Sequence, residues 1–314
     1  MGDSKRPSVV WLRWKILYLL SGLALGCAAA TSSPPSTPVS LTPKPVPEQP
    51  VAVRPFPRDS IFASIKKWRT DFTGQSAVAC GPLDNPTLVS AAGEKTFESA
   101  SLVKLAILVE LARRFEAGVC KPEDTLVFEE RFRVGGSGHL QKEPAGGRYR
   151  LDQLAEWTIT ESDNVATDML FDYLRLETLE PAMRALGMKQ MTVRRTIFAF
   201  EEIDKGQDNV ISANDLAVLY GQIARKELPR SDWMLQILQK THRHDLLQDQ
   251  LPKDLRVAHK SGELTGFLHD GGILYATPPY ILIILTQAEK ADSEPFIRGL
   301  SAEIYSDLQT RAGK

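Results

Sequence analysis

Residues 105–112, Leu-Ala-Ile-Leu-Val-Glu-Leu-Ala, form a long apolar run with a single charge, and Ser101-Leu102-Val103-Lys104 stands at its head. A stretch that is apolar on nearly every side must be sunk in a core, so the run predicts a buried helix from Ser101 to about Ala117, stopped by Gly118. A serine on the first turn of a helix has its hydroxyl near free backbone N–H groups, and a lysine three positions later shares its face. That spacing places a potential nucleophile beside a potential base, because a lysine partly neutralised by burial can take a proton from a hydroxyl. Alone, Ser-x-x-Lys is more often a helix-capping serine followed by a solvated lysine.

The rest of the chain narrows the choice. At 314 residues, 43% hydrophobic and 25% charged, it can bury a sizeable core as an ordinary globular protein. Four basic residues, Lys5, Arg6, Arg13 and Lys15, precede the uncharged apolar stretch 16–26, the pattern of an export signal and too short to span a bilayer. Ala24-Leu25-Gly26-Cys27 resembles the lipobox of bacterial lipoproteins, which implies Cys27 as the lipidated residue of an exported, membrane-anchored envelope protein; Ala24 stands where leucine is usual, and Ala28-Ala29-Ala30 offers ordinary cleavage as the alternative. The reading is therefore a lipoprotein-type signal over 1–27, a Pro/Ser/Thr-rich tether over 28–57, and a folded domain over 58–314. The formal charge is −1, which does not point to nucleic acid. Cys80 and Cys120 are open to either a disulfide or two buried thiols.

Within the body, apolar spacing predicts a first helix over Ser60 to Thr70, capped by Asp59 or Ser60, then a hairpin of strands at Ser76–Cys80 and Thr87–Ala91. Residues 121–147 read as irregular, with the glycine-rich 134–139 as a plain loop. Helices follow at Leu151–Thr160, after Asn164, at Thr178–Leu186, at Ser212–Ala224 with Ser212 as N-cap, and through Trp233, Leu235 and Leu238. Residues 188–209 show no period. Strands at Arg256–His259, Gly272–Ala276 and Tyr280–Thr286 and a helix over Ser293–Arg311 complete the chain. The expectation is an α+β fold: an antiparallel sheet built from both chain ends and flanked by helices, with an inserted all-helical subdomain at about 101–240.

Two further motifs, Ser162-Asp163-Asn164 and Lys260-Ser261-Gly262, follow the first in order. Together the three resemble the motif set of class A β-lactamases and related penicillin-binding proteins, with serine replacing threonine in the third. The resemblance spans about Ser60 to the end. It implies an acyl-serine hydrolase without cofactor or metal: Ser101 attacks the carbonyl, Lys104 helps deprotonate it, and Ser162 relays a proton to the leaving nitrogen. Asn164 would hold a substrate amide, Lys260 and Ser261 the substrate carboxylate, and the N–H groups of Ser101 and Glu263, beyond Gly262, the oxyanion. Asp163 reads as a structural hydrogen-bonding residue. His242, His244 and Asp245 lie in a polar run that reads as a solvated face rather than a metal site.

One departure matters. The family's loop glutamate, which activates the deacylating water, is missing; counting from Gly187 places Ile197 there, with Glu201 and Glu202 the nearest alternative bases. Three functions follow: hydrolysis of the β-lactam amide, a D-alanyl-D-alanine carboxypeptidase acting on a peptidoglycan stem peptide, or a lipoprotein that binds muropeptide or β-lactam without turnover.

Overall fold

In the computed structural model, residues 56–312 apart from Asn85 are described; the signal, Cys27 and nearly all of the tether lie outside them. The chain enters through α1 (Arg58–Thr70), which no side chain caps; Ser60 Oγ instead donates to the Pro57 carbonyl. Then come β1 (Gln75–Pro82), β2 (Val89–Ala91), β3 (Thr96–Glu98) and a 3-10 turn at Ala100–Val103 that runs into α2 (Lys104–Glu116). Every α2 residue from Lys104 to Ala112 is buried, as a helix apolar on nearly all sides must be. The expected helix is thus present, but its first turn is tighter and the α-helix proper begins at Lys104.

A ribbon of β4 (Thr125–Val127) and β5 (Arg148–Arg150) brackets the irregular segment, followed by α3 (Leu151–Thr160), α4 (Asn164–Leu174) and α5 (Leu179–Ala185). After α6 (Phe200–Asp204), β6 (Val210–Ser212) pairs with β3. Next is α7 (Ala213–Ala224), whose N-cap Ser212 accepts the Asp215 N–H, and then α8 (Ser231–Leu238). The expected helical insertion is there, with these two short ribbons added to it. Three strands, β7 (Val257–Leu264), β8 (Phe267–Leu274) and β9 (Tyr280–Gln287), lead to α9 (Lys290–Ala312).

The main sheet is antiparallel in the order β2-β1-β9-β8-β7, so the two chain ends meet where β1 pairs with β9, from Gln75 opposite Gln287 to Pro82 opposite Tyr280. Alternation divides the faces. Val78, Leu282 and Ile284 pack with Ile61, Ile65, Ile297 and Leu300 of α1 and α9, whereas Ala77, Ile281 and Ile283 join the larger core around α2. β7 is longer than its sequence predicts: it pairs with β8 from Val257–Leu274 to Leu264–Phe267, and Gly266, at φ +79°, closes the turn. Lys260-Ser261-Gly262 therefore lies within the strand rather than after it. Cys80 and Cys120 are buried free thiols, which resolves the alternatives in favour of no disulfide. Among the described residues no helix is long and apolar enough to cross a membrane.

Candidate active site

The three motifs converge on one cleft of about 1070 Å³, which Ser101, Ser162, Lys260, Ser261 and Glu263 help to line. Ser101 is presented by the 3-10 turn ahead of α2, with Ala100 before it in the left-handed region at φ 46°. Ser162 is also left-handed, at φ 57°, in the corner between α3 and α4. Two non-glycine residues in that region flanking one site mark backbone held against its preference by the surrounding structure.

Ser162 is the hub. Its Oγ lies 2.8 Å from Ser101 Oγ and receives hydrogen bonds from Lys104 Nζ at 3.0 Å and Lys260 Nζ at 3.2 Å. Lys104 also donates to the Ser162 carbonyl at 2.6 Å and to Asn164 Oδ1 at 2.8 Å. Among the described residues these are its hydrogen bonds, so its path to Ser101 runs through Ser162. Burial, then the charge of Lys260, hold the Lys104 ammonium well below the ordinary lysine range, with Asp163 and Asp168 opposing. Burial pushes Lys260 down to about 7, Asp270 opposing and Arg243 assisting. Two buried lysines around one hydroxyl, each easier to deprotonate than an ordinary lysine, form a proton store.

The other sequence-chosen residues are placed as follows. Asp163 is fully buried; it caps α4 by accepting the Ala166 N–H at 2.9 Å and takes the Leu140 N–H on its second oxygen. Asn164 spends its amide on Lys104 and on the Gly135 carbonyl at 2.9 Å, tying α4 to the glycine-rich segment. Gly262 lies against the Ser101 turn: a Cβ there would stand 3.0 Å from Ala100 Cβ and 3.1 Å from the Ser101 nitrogen. The following residue, Glu263, lines the same cleft as Ser101. The Glu263 side chain turns to Arg243 at 2.6 Å and Lys290 at 2.8 Å. Glu201 and Glu202 are not brought to the cleft. They sit on α6, where Glu202 pairs with Lys205 at 2.9 Å.

Sequence reasoning missed several cleft residues. The glycine-rich segment supplies Ser137, Gly138 and His139 to the lining, and the polar run 241–245 lines the cleft as well. Polar residues facing a wet cleft look like any solvated face, so composition held no signal. His139, Glu161 and Asp163 offer ligand atoms within 4.8 Å of one another. His139 Nδ1 is already hydrogen-bonded to Glu161 at 2.7 Å, and both Asp163 oxygens accept backbone N–H groups.

The loop 188–209 is fastened to the core by polar side chains. Asp215 accepts the N–H groups of Lys189, Gln190 and Met191, and Asn209 Oδ1 accepts those of Arg194 and Arg195. Arg195 Nε donates to Asp208 at 2.6 Å, and the Ile197 N–H donates to Asp168 on α4 at 2.9 Å.

An antiparallel sheet with a helical insertion, a serine at the head of a buried helix and two buried lysines around a second serine define a serine hydrolase. The chain belongs to the Beta-lactamase enzyme family, whose sequence model matches residues 60–308, and it is a hydrolase of the kind that acts on β-lactam amides. Its fold is shared with solved structures. PBP-A superposes with a TM-score of 0.73 at 24% identity, covering 80% of this chain and 96% of that one. A β-lactamase from Sphaerobacter thermophilus gives 0.71 at 21% identity, with 81% and 97% covered. One from Chitinophaga pinensis gives 0.74 at 19%, with 80% and 99% covered. No curated protein sequence matches the chain.

Proposed function

We propose that the protein opens β-lactam amides through an acyl-enzyme on Ser101. The observation that carries this reading is the contact of Ser162 Oγ with Ser101 Oγ and with both buried lysines. Ser101 Oγ attacks the carbonyl as its proton passes to Ser162, which gives its own to a neutral lysine. When the C–N bond breaks, Ser162 protonates the leaving nitrogen and is refilled by the lysine. The N–H groups of Ser101 and Glu263 take the oxyanion, and Lys260 with Ser261 meets the substrate carboxylate. Asn164 borders this machinery and fixes Lys104. A PBP-A variant has been solved as an acyl-enzyme complex with penicillin G, which supports a covalent course in this fold.

Release of the acyl group is the step that separates the readings. Ile197 stands at the loop position next to α4, and Glu201 and Glu202 lie outside the cleft lining, an arrangement that supports slow release. That observation favours a second reading, a D-alanyl-D-alanine carboxypeptidase-type enzyme that a β-lactam traps. Full-length protein mixed with a chromogenic β-lactam tests both. Sustained turnover supports β-lactam hydrolysis, one-to-one labelling without turnover supports the trapped form, and release of D-alanine from a stem peptide then identifies the carboxypeptidase. Neither adduct nor turnover on folded protein refutes the acyl-serine reading. The N-terminal segment would hold the enzyme in the cell envelope through lipidated Cys27, and Cys27→Ser should release it from membranes.

A further inference from the structure

Asp168 lies one helical turn beyond Asn164 on α4, hence on the face that carries the Lys104 contact, with about 5–6 Å between their Cβ atoms. It is buried, and its Oδ1 accepts the Ile197 N–H at 2.9 Å, so it also fastens the loop at the position where the family carries its glutamate. Among the described residues, two groups act on its charge. From α2 comes Lys104, from the loop the Ile197 N–H, while Arg195 two residues earlier is turned to Asp208. Asp163, also on Lys104's side, is committed to the cap of α4 and to Leu140. Burial pushes the Asp168 carboxyl up to about 6, against the Ile197 hydrogen bond and the Lys104 charge. A carboxylate in such a place is costly unless its charge is used.

We infer that Asp168 is a positioning residue for acyl transfer: clamped by the Ile197 N–H, its carboxylate is the counter-charge that governs how firmly Lys104 holds a proton while Ser162 and Ser101 exchange theirs. The inference rests on the acyl-serine reading above and adds to it a link between the loop and the proton store. Negative charge at Asp168 favours the Lys104 ammonium, so its removal favours the neutral lysine.

Asp168→Asn keeps an oxygen for the Ile197 N–H and removes the charge, its second oxygen becoming an amide NH2. The experiment follows the rate of β-lactam adduct formation on full-length protein across pH 5–9. Expected is a displacement of the acidic limb to lower pH in the Asn variant, by roughly one unit, with the limb returning toward its original position in Asp168→Glu. A residue that merely holds the loop would change the rate at every pH alike, so an unmoved limb, or one moved to higher pH, overturns the inference. Should the Asn variant not fold, carbon-13 NMR of the unaltered protein reads the same coupling. Lys104 Cε must then respond where Asp168 titrates, and a Cε signal blind to that titration overturns the inference. An unaltered chain that forms adduct but shows no coupling refutes this inference alone; one that forms no adduct refutes the acyl-serine reading and this inference with it.

Discussion

Ser162 shows what a single residue can be asked to do when the backbone is bent for it. In the left-handed region its hydroxyl meets Ser101 and both lysines at once. Those lysines carry a stability signature. A base whose folded pKa is depressed binds fewer protons folded than unfolded, so stability rises with pH between the folded and unfolded values. For Lys260 that window runs from about 7 to 10.5. Urea unfolding of the unaltered chain should gain stability over this range, and Lys260→Met should flatten the rise by up to roughly 1.4 kcal/mol per pH unit; equal slopes would contradict the assignment. Ser101, Lys104, Ser162 and Lys260 were legible because three short motifs occur in order. Asp168 and Arg243 were not, since nothing local distinguishes an aspartate facing a buried lysine from one facing water.

Elements bring these residues together by close approach. β7 passes so near the Ser101 turn that Gly262→Ala must push strand or turn by a few tenths of an ångström. This variant should keep its fold, judged by circular dichroism, while adduct formation falls at least tenfold. α2 is the rigid post behind the turn, and truncating it at Leu108, which is 1% exposed, should cost about 2–5 kcal/mol in denaturant unfolding. Such helices were legible from their apolar runs and caps, as Ser212 and Asp215 illustrate. Lys-Ser-Gly-Glu has poor strand propensity, so β7 shows in the sequence only as far as His259; the ladder to β8, a tertiary partner, overrides that preference. The loop 188–209 had no period to read because backbone hydrogen bonds to Asp168, Asn209 and Asp215 hold it in place of apolar spacing.

At the scale of the molecule, the site draws on three stretches of chain: Ser101 near the first strands, Ser162 in the helical insertion, and Lys260 on a late strand. The sheet that joins both ends supplies the frame, and β1 against β9 is the seam. Alternating strands at each end and helices between made that architecture readable; the cleft's polar rim depends on loops from distant parts of the chain and did not show. Peptide mapping by mass spectrometry after exposure of the full-length protein to a β-lactam shows whether Ser101 is the acylated residue. The expected result is one adduct per chain, on the peptide carrying Ser101, persisting long enough to isolate and absent in Ser101→Ala. An adduct on another residue, or labelling that survives Ser101→Ala, would contradict it.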